Sequence, residues 1–441
     1  MDFVSDLHLH SKYSRAVSAA MSLPFMAQWA AKKGIDVLSA TDFTHPLWFR
    51  EIKTLLKESS EGVFELKTGE TQTKFILSTE IASIYKQGDK LRRIHNLLFV
   101  PSLEIAEKIS QGLVKRGCNL NADGRPIIGL SSKQLLELAL GIDRKIILIP
   151  CHVWTPHFGI YGSASGFDSI DEAFGDLSKY IYGIETGISS DPFMNWQIPE
   201  LENRSILSFS DAHSAPKMAR EATVFSLPKL SYMNIGRAIS RRDPGYSIAY
   251  TIEFYPEEGK YHYTGHRNCG ISLSPDEVKE KGAICPVCKR RLTEGVMIRV
   301  QQVAGREIST NEPTPQPDEN GVNWIKDPKN IHPPFVKLVP LLEIVAEGLD
   351  STVSSEKVKM LFDKLCEELG SEIKILLKSS LDDIKKVGGD KVAEGVMKVR
   401  KGDIAIEPGF DGEYGKVAIW SDKISEEIKT ETTAQEQIGL F

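Results

Sequence analysis

His8 and His10 stand two apart at the end of the apolar-alternating run DFVSDLHLH, and Asp211 and His213 repeat that spacing in SDAH. Residues two apart on a strand face the same side, so each pair can aim two donor atoms at one object. Imidazole nitrogens and carboxylate oxygens placed this way suit a metal ion. Asp42, Glu80, His95, His152 and Glu185 also fall at the ends of apolar strand candidates, with His45 just past Asp42. A single histidine is readily satisfied inside a core. Acids and imidazoles gathered in this number must neutralise one another or hold cations.

A second donor set is independent of the first. His266, Cys269, Cys285 and Cys288 have the spacing HxxC, fifteen residues, CxxC. One imidazole and three thiolates suit a closed tetrahedral zinc of structural type, with no open position for chemistry. His262 is an alternative to His266 as the nitrogen ligand, and free core cysteines would sit poorly among so many charges. Lys279, Lys281, Lys289, Arg290 and Arg291 make this segment basic, with Arg241 and Arg242 nearby in sequence. They form either a solvated face or a contact to a phosphate backbone.

The elements that must position the first set are short apolar strands. Candidates are DLHLH (6–10), VLSATD (37–42), FILSTE (75–80), IHNLLFV (94–100), IILIPCH (146–152), YGIETG (182–187), ILSFSDAH (206–213) and TVFSL (223–227). Helical patterns lie between most of them, at 22–33, 102–115, 131–140 and 231–240. About seven βα units in one run predict a parallel, barrel-like α/β domain over residues 1–245, with its chemistry at the C-terminal ends of the strands. Residues 246–308 form a small zinc-binding module. Residues 309–334 carry six prolines and read as a linker or irregular loop. Residues 335–420 are helical in pattern. Within them, the stretch 379–402 with its Gly-Gly turn is either a helix-hairpin-helix, offering backbone N–H groups to a phosphate, or an ordinary glycine-linked helix pair. Residues 421–441 are a polar, mostly acidic tail expected to be disordered.

Composition narrows the class. The chain has 441 residues, 41% hydrophobic and 26% charged, as a soluble globular protein of two or three domains would have. The net charge of −6 is no global nucleic-acid signature, so any such binding rests on local patches. There is no apolar run of membrane-spanning length and no secretory signal, so a cytoplasmic location is expected, with cysteines reduced and available to metal.

The HxH near the start, the TD after the second strand, the strand glutamate, the later single histidines and the SDAH together resemble the PHP (polymerase and histidinol phosphatase) family over residues 1–245. That resemblance implies a distorted TIM-like barrel of seven βα units that holds up to three ions, usually zinc or manganese, and hydrolyses phosphoesters. Carried over residue by residue, its ligands fall on His8, His10, Glu80, His95, His152, Asp211 and His213. Two positions depart: SKYSR stands where a further histidine often follows HxH, and Thr41-Asp42-Phe43 stands where T-D-H is usual. Asp42 is therefore expected to replace a histidine ligand, with His45 as a possible substitute, while Glu185 fits a role orienting a ligand.

The stretches CHVWTPHFGIYGS and GKYHYTGHRNCGISLSP, with the zinc module and helical appendage, resemble the endonuclease Q family along nearly the whole chain. This implies a DNA repair endonuclease that nicks 5′ to hypoxanthine, uracil or xanthine, or to an abasic site. Glu80, His152, Asp211 and His213 would carry the catalysis, with one structural zinc and two or three barrel ions, in part manganese or magnesium. The lesion base must be extruded to be read. Trp154, His157, Phe158 and Tyr161 follow His152 and would either wall that pocket by stacking or pack their own loop. The alternative enzyme is a PHP-type phosphatase acting on small phosphomonoesters such as histidinol phosphate, which needs neither appendage. A damage-binding protein with a decayed metal site is the non-enzymatic alternative.

Finally, Gln437, Ile438, Gly439, Leu440 and Phe441 resemble the short peptide by which bacterial repair proteins bind the sliding clamp, with Gln437, Ile438, Leu440 and Phe441 as its contacts. The alternative is that Leu440 and Phe441 dock on their own domain. The clamp reading places the protein at the bacterial nucleoid.

Overall fold

Aliphatic and β-branched runs that end in polar residues form the strands bearing the candidate donors. A computed structural model describes residues 1–306, 308–309 and 311–421. Its principal strands are β1 (Asp2–Asp6), β2 (Val37–Ser39), β3 (Lys74–Gln87), β4 (Lys90–Val100), β5 (Ile147–Pro150), β6 (Gly183–Glu185), β7 (Ser205–Leu207), β8 (Ala222–Ser226), β9 (Ser247–Glu253) and β10 (Phe335–Lys337). β1, β2 and β3 are parallel neighbours. β6 and β7 pair in parallel, and a Leu9–Ala212 bridge returns the chain after β7 to the end of β1.

The expectation of uniformly parallel βα units needs correction. β3 and β4 form one long antiparallel hairpin, from Leu77 opposite Val100 to Gln87 opposite Lys90, and β5 is antiparallel to β4. The local reason is Gly88-Asp89. Gly88 has φ 59°, and a two-residue loop with glycine first is the type II′ turn that closes a hairpin directly. The fold is thus mixed α/β.

The predicted helices form as α1 (Leu23–Lys33), α2 (Leu103–Val114), α3 (Ser132–Ile142) and α4 (Tyr232–Ser240). Ser102, Ser131 and Ser231 cap the last three by accepting a backbone N–H from the first turn. The C-terminal region is helical: α5 (Leu341–Gly348), α6 (Glu356–Leu369), α7 (Glu372–Leu377), α8 (Leu381–Gly388) and α9 (Asp390–Lys401). α8 and α9 are joined through Gly389 alone, at φ 84°, a junction that both readings of this stretch share. This region is fastened to α1 by stacking of Trp29 on Phe362, and by a buried ion pair between Lys33 and Glu372 at 2.9 Å.

Two expected boundaries move. β8 pairs with β1 and β9 with β8, so the sheet runs on past residue 245. β10 then adds in parallel to β9, so residues 335–337 are strand and not helix. The proline-rich stretch 309–334 is irregular but packed. Val322 is fully buried, and Glu312 meets the partly buried Lys337, which also pairs with Asp191 at 2.9 Å. Its prolines stop a long element from forming without freeing the chain from the core. Among the described residues no helix is long and apolar enough to cross a membrane.

Candidate active site

After β1 the chain keeps its alternation. Leu7 and Leu9 are buried among apolar residues, and His8 and His10 turn to the opposite side. β3 supplies Glu80, and β4, paired beside it, supplies His95. His152 follows β5 and Asp211 follows β7.

These residues meet at one carboxylate. Glu80 Oε2 lies 3.2 Å from His10 Nε2 and 3.6 Å from His8 Nε2, and Asp211 Oδ1 completes that group at 3.0 Å from His10 Nε2. Glu80 Oε1 lies 2.5 Å from His95 Nδ1 and 3.3 Å from His152 Nε2. One glutamate therefore spans two donor groups, each with its ligand atoms within 4.8 Å of one another.

The donor chemistry fits cations. His8 Nε2, His10 Nε2, His152 Nδ1 and Asp211 Oδ1 are buried with no hydrogen-bond partner, a costly state for polar atoms unless something positive shares the space. Burial opposes charge on Glu80, but His95 and Arg125 outweigh it and hold its carboxyl well below the usual range. Burial likewise opposes charge on His8, yet the Glu185 and Asp211 carboxylates raise its pKa well above the ordinary imidazole value. His95 is pushed down to about 4 by burial, against the pull of the Glu80 carboxylate.

Other residues hold these donors in place. Glu185 Oε1 accepts from His8 Nδ1 at 2.8 Å, and its Oε2 accepts the His152 backbone N–H at 2.8 Å, the orienting role expected of it. Asp42 was expected as a ligand and is corrected: Oδ2 accepts from the Ser11 N–H and the Ser14 hydroxyl, and Oδ1 faces His10 Nδ1 at 3.4 Å. It sits behind His10 with its oxygens engaged. His45 is no substitute, because it precedes the helix Pro46–Leu55 and stacks on Tyr13. His213 lies against His10 with ring centroids 4.7 Å apart, beside the two donor groups and not within them. Asp42, His152 and Asp211 adopt left-handed backbone at φ 52°, 28° and 48°, strain of the kind that clusters at functional sites. Gly187 permits the turn at His152, since a Cβ there would lie 2.4 Å from the histidine's own Cβ.

The donor groups open into a cleft of about 810 Å³ with cationic walls, Arg15, Arg125, Lys217, Arg220 and Lys260. Sequence reasoning missed these. Lys217 and Arg220 follow SDAH closely, which was a usable signal; Arg125, 3.2 Å from Glu80, had none. Of the proposed stacking residues, Phe158 lines the cleft and lies on His95. Trp154 and Tyr161 follow the other alternative and pack inward: both are buried, with the Trp154 indole N–H donating to Asn195 and the Tyr161 hydroxyl to Glu200. His157 is exposed, with its ring edge-on to Tyr261, and is not a wall of the cleft.

The second donor set also assembles. His266, Cys269, Cys285 and Cys288 bring their ligand atoms within 4.8 Å, with His266 Nδ1 3.4 Å from Cys288 Sγ. Backbone N–H groups of Cys288 and Val287 help to draw the Cys285 thiol down to about 6, toward the thiolate a metal needs. His262 is buried apart from this group, which closes that alternative. Gln437, Ile438, Leu440 and Phe441 lie outside the described residues.

Residues 340–403 match the family described as MJ0043 C-terminal domain. The chain is 29% identical over 278 residues to the uncharacterized protein MJ0043 of Methanocaldococcus jannaschii, covering 62% of this chain and about a third (32%) of that protein's length. It is 27% identical to the uncharacterized protein YqxK of Bacillus subtilis, over 94% of this chain and 98% of that one. The crystal structure of the lesion-specific endonuclease PfuEndoQ from Pyrococcus furiosus matches with a TM-score of 0.80 at 30% identity, over 96% of both chains. A structure of endonuclease Q in complex with a 27-mer duplex bearing an abasic lesion at the active site matches with a TM-score of 0.79 at 29% identity, over 96% of this chain and 98% of that one.

Proposed function

The chain belongs to the endonuclease Q family, and from that premise we propose that it is a DNA repair endonuclease that nicks the phosphodiester 5′ to a deaminated base (hypoxanthine, uracil or xanthine) or to an abasic site. The observation that carries this reading is Glu80, one buried carboxylate spanning two donor groups behind His95, His152 and Asp211, which line a cationic cleft. On this reading β1 to β7 are the strands of a PHP-type barrel.

His8, His10, Glu80 and Asp211 would hold one cation, and Glu80, His95 and His152 a second. His213, beside them in the cleft, is the donor available to a third. Zinc suits the nitrogen-rich sets, with manganese or magnesium at the more oxygen-rich positions. When bound, such ions polarise a phosphate and acidify a water. Arg125, Lys217, Arg220 and Lys260 draw the phosphate backbone over the donors and offset its charge. Glu185 and Asp42 keep His8 and His10 aimed at the cleft floor. Displacement at phosphorus breaks the bond to the 3′ oxygen and leaves a 3′-hydroxyl and a 5′-phosphate on the lesion nucleotide. His266, Cys269, Cys285 and Cys288 would hold one zinc that is structural, having no open position. The segment Gln437–Phe441 is proposed to bind a bacterial sliding clamp, keeping the enzyme on DNA at the nucleoid.

The test is side-by-side incubation of the full chain with duplexes bearing hypoxanthine, uracil or an abasic site, and with small phosphomonoesters including histidinol phosphate. Nicking of the lesion duplexes by wild type, and none by Asp211→Asn with its circular dichroism unchanged, is the expected result. Turnover of the monoesters alone would instead make the protein a phosphatase.

A further inference from the structure

The loop between the strands Ala405–Glu407 and Lys416–Ala418 is pinned to the segment 257–263. Gly409 N–H donates to the Glu257 carbonyl at 2.8 Å, and Gly412 N–H to that of Lys260 at 2.9 Å. Gly415 N–H donates to Glu258, and Tyr263 N–H donates back to Gly409, both at 2.9 Å. The approach is close enough that a Cβ on Gly415 would lie 2.1 Å from the Glu257 carbonyl oxygen. Asp411 anchors the loop to the zinc-binding module, its Oδ2 accepting the Arg267 N–H at 2.8 Å and its Oδ1 the Thr293 hydroxyl.

A loop stitched down by its backbone has no need of an aromatic side chain, yet it carries Tyr414. That ring is 67% exposed and is the one aromatic among the exposed large hydrophobic side chains of the described residues. It lines the same cleft as His95, His152 and Asp211, and the Lys260 ammonium stands 4.3 Å from its centroid. Among the described residues no group hydrogen-bonds its hydroxyl, so the ring face is what it offers. The other aromatics near the cleft are committed: Trp154 and Tyr161 are buried, and Phe158 lies on His95.

We propose that Tyr414 is the stacking platform for the extruded lesion base, which lies on the ring face turned away from Lys260 while Lys260 meets an adjacent phosphate. This rests on the endonuclease reading above, since it supplies the base. Every base has a π-face, so such a platform accepts purine and pyrimidine lesions alike. An abasic site presents nothing to stack.

Tyr414→Ala and Tyr414→Phe in the full, metal-loaded chain test this, with kcat/KM measured on matched duplexes bearing hypoxanthine, uracil or an abasic site. Loss of one base stack predicts that Tyr414→Ala lowers the ratio of base-lesion to abasic kcat/KM by roughly tenfold or more, and that Tyr414→Phe restores it. An unchanged ratio, whether both activities fall together or neither falls, overturns the stacking role alone. A wild-type chain that nicks none of the duplexes overturns the endonuclease reading, and this inference with it.

Discussion

Glu185 never faces the cleft, yet it fixes two site residues at once, accepting from His8 Nδ1 and from the His152 backbone. Partners of this kind typically contribute about 10–100-fold to metal affinity or activity, so Glu185→Gln should lower nicking by about that factor with the fold retained. Retention of full activity would show that His8 needs no support. Protons and cations compete for the same donors. Because the neighbouring carboxylates raise the pKa of His8 and His10, the metal-free site holds protons that binding must release. Titration calorimetry should therefore show metal affinity rising from pH 6 to pH 8, and flat affinity would contradict this. Glu253 makes a separate case. Burial lifts its carboxyl to about 8, although the hydroxyls of Ser208 and Thr251 bond it. Its protonated form is the one the fold favours, so its contribution is fully present below the ordinary value of 4.5 and is lost as pH rises through about 8. Glu253→Gln should raise the melting temperature most near pH 8 to 9 and least near pH 4.

At the level of elements, the donor residues were legible because strands alternate. HxH keeps His8 and His10 on one face, whereas in SDAH the left-handed backbone at Asp211 breaks the alternation and only Asp211 joins a donor group. The helical patterns at 102–115, 131–140 and 231–240 likewise marked α2, α3 and α4. The β3–β4 hairpin was hidden because a turn of only two residues, Gly88-Asp89, interrupts one long polar-tipped run. For Trp154 and Tyr161 the sequence left two placements open, because adjacency to His152 does not say which way a side chain faces. The grouping of His266, Cys269, Cys285 and Cys288 was legible from spacing alone, since the four lie within one short stretch. Cys285→Ser should lose one zinc per chain and lower thermal stability, because such sites couple binding to folding; unchanged zinc content would remove the assignment. The Lys33–Glu372 pair between α1 and α7 was not legible, as nothing in sequence links positions so far apart. Lys33→Met would leave Glu372 buried and unpaired, at a cost of about 3–5 kcal/mol, read as a lower denaturation midpoint.

Across the whole molecule, one apolar core runs from Leu9 to Trp420 and joins the sheet to the C-terminal helices. The divisions expected from composition were therefore too sharp. Proline content marks where regular structure stops, and says nothing about whether the chain leaves the core. The proposed clamp peptide is the feature that looks outward. A chain ending at Glu436 should lose a roughly micromolar affinity for a bacterial clamp, and equal binding by both forms would remove that reading.

Synthesis gives the wide spacing of the donors a meaning of its own. The ribosome delivers His8 and His10 first, then Glu80, His95 and His152, and Asp211 last. Until that last carboxylate emerges and the Leu9–Ala212 bridge can form, the nascent chain is an incomplete chelator. A polypeptide stalled short of Asp211 thus carries most of the proposed ligands without the assembled site.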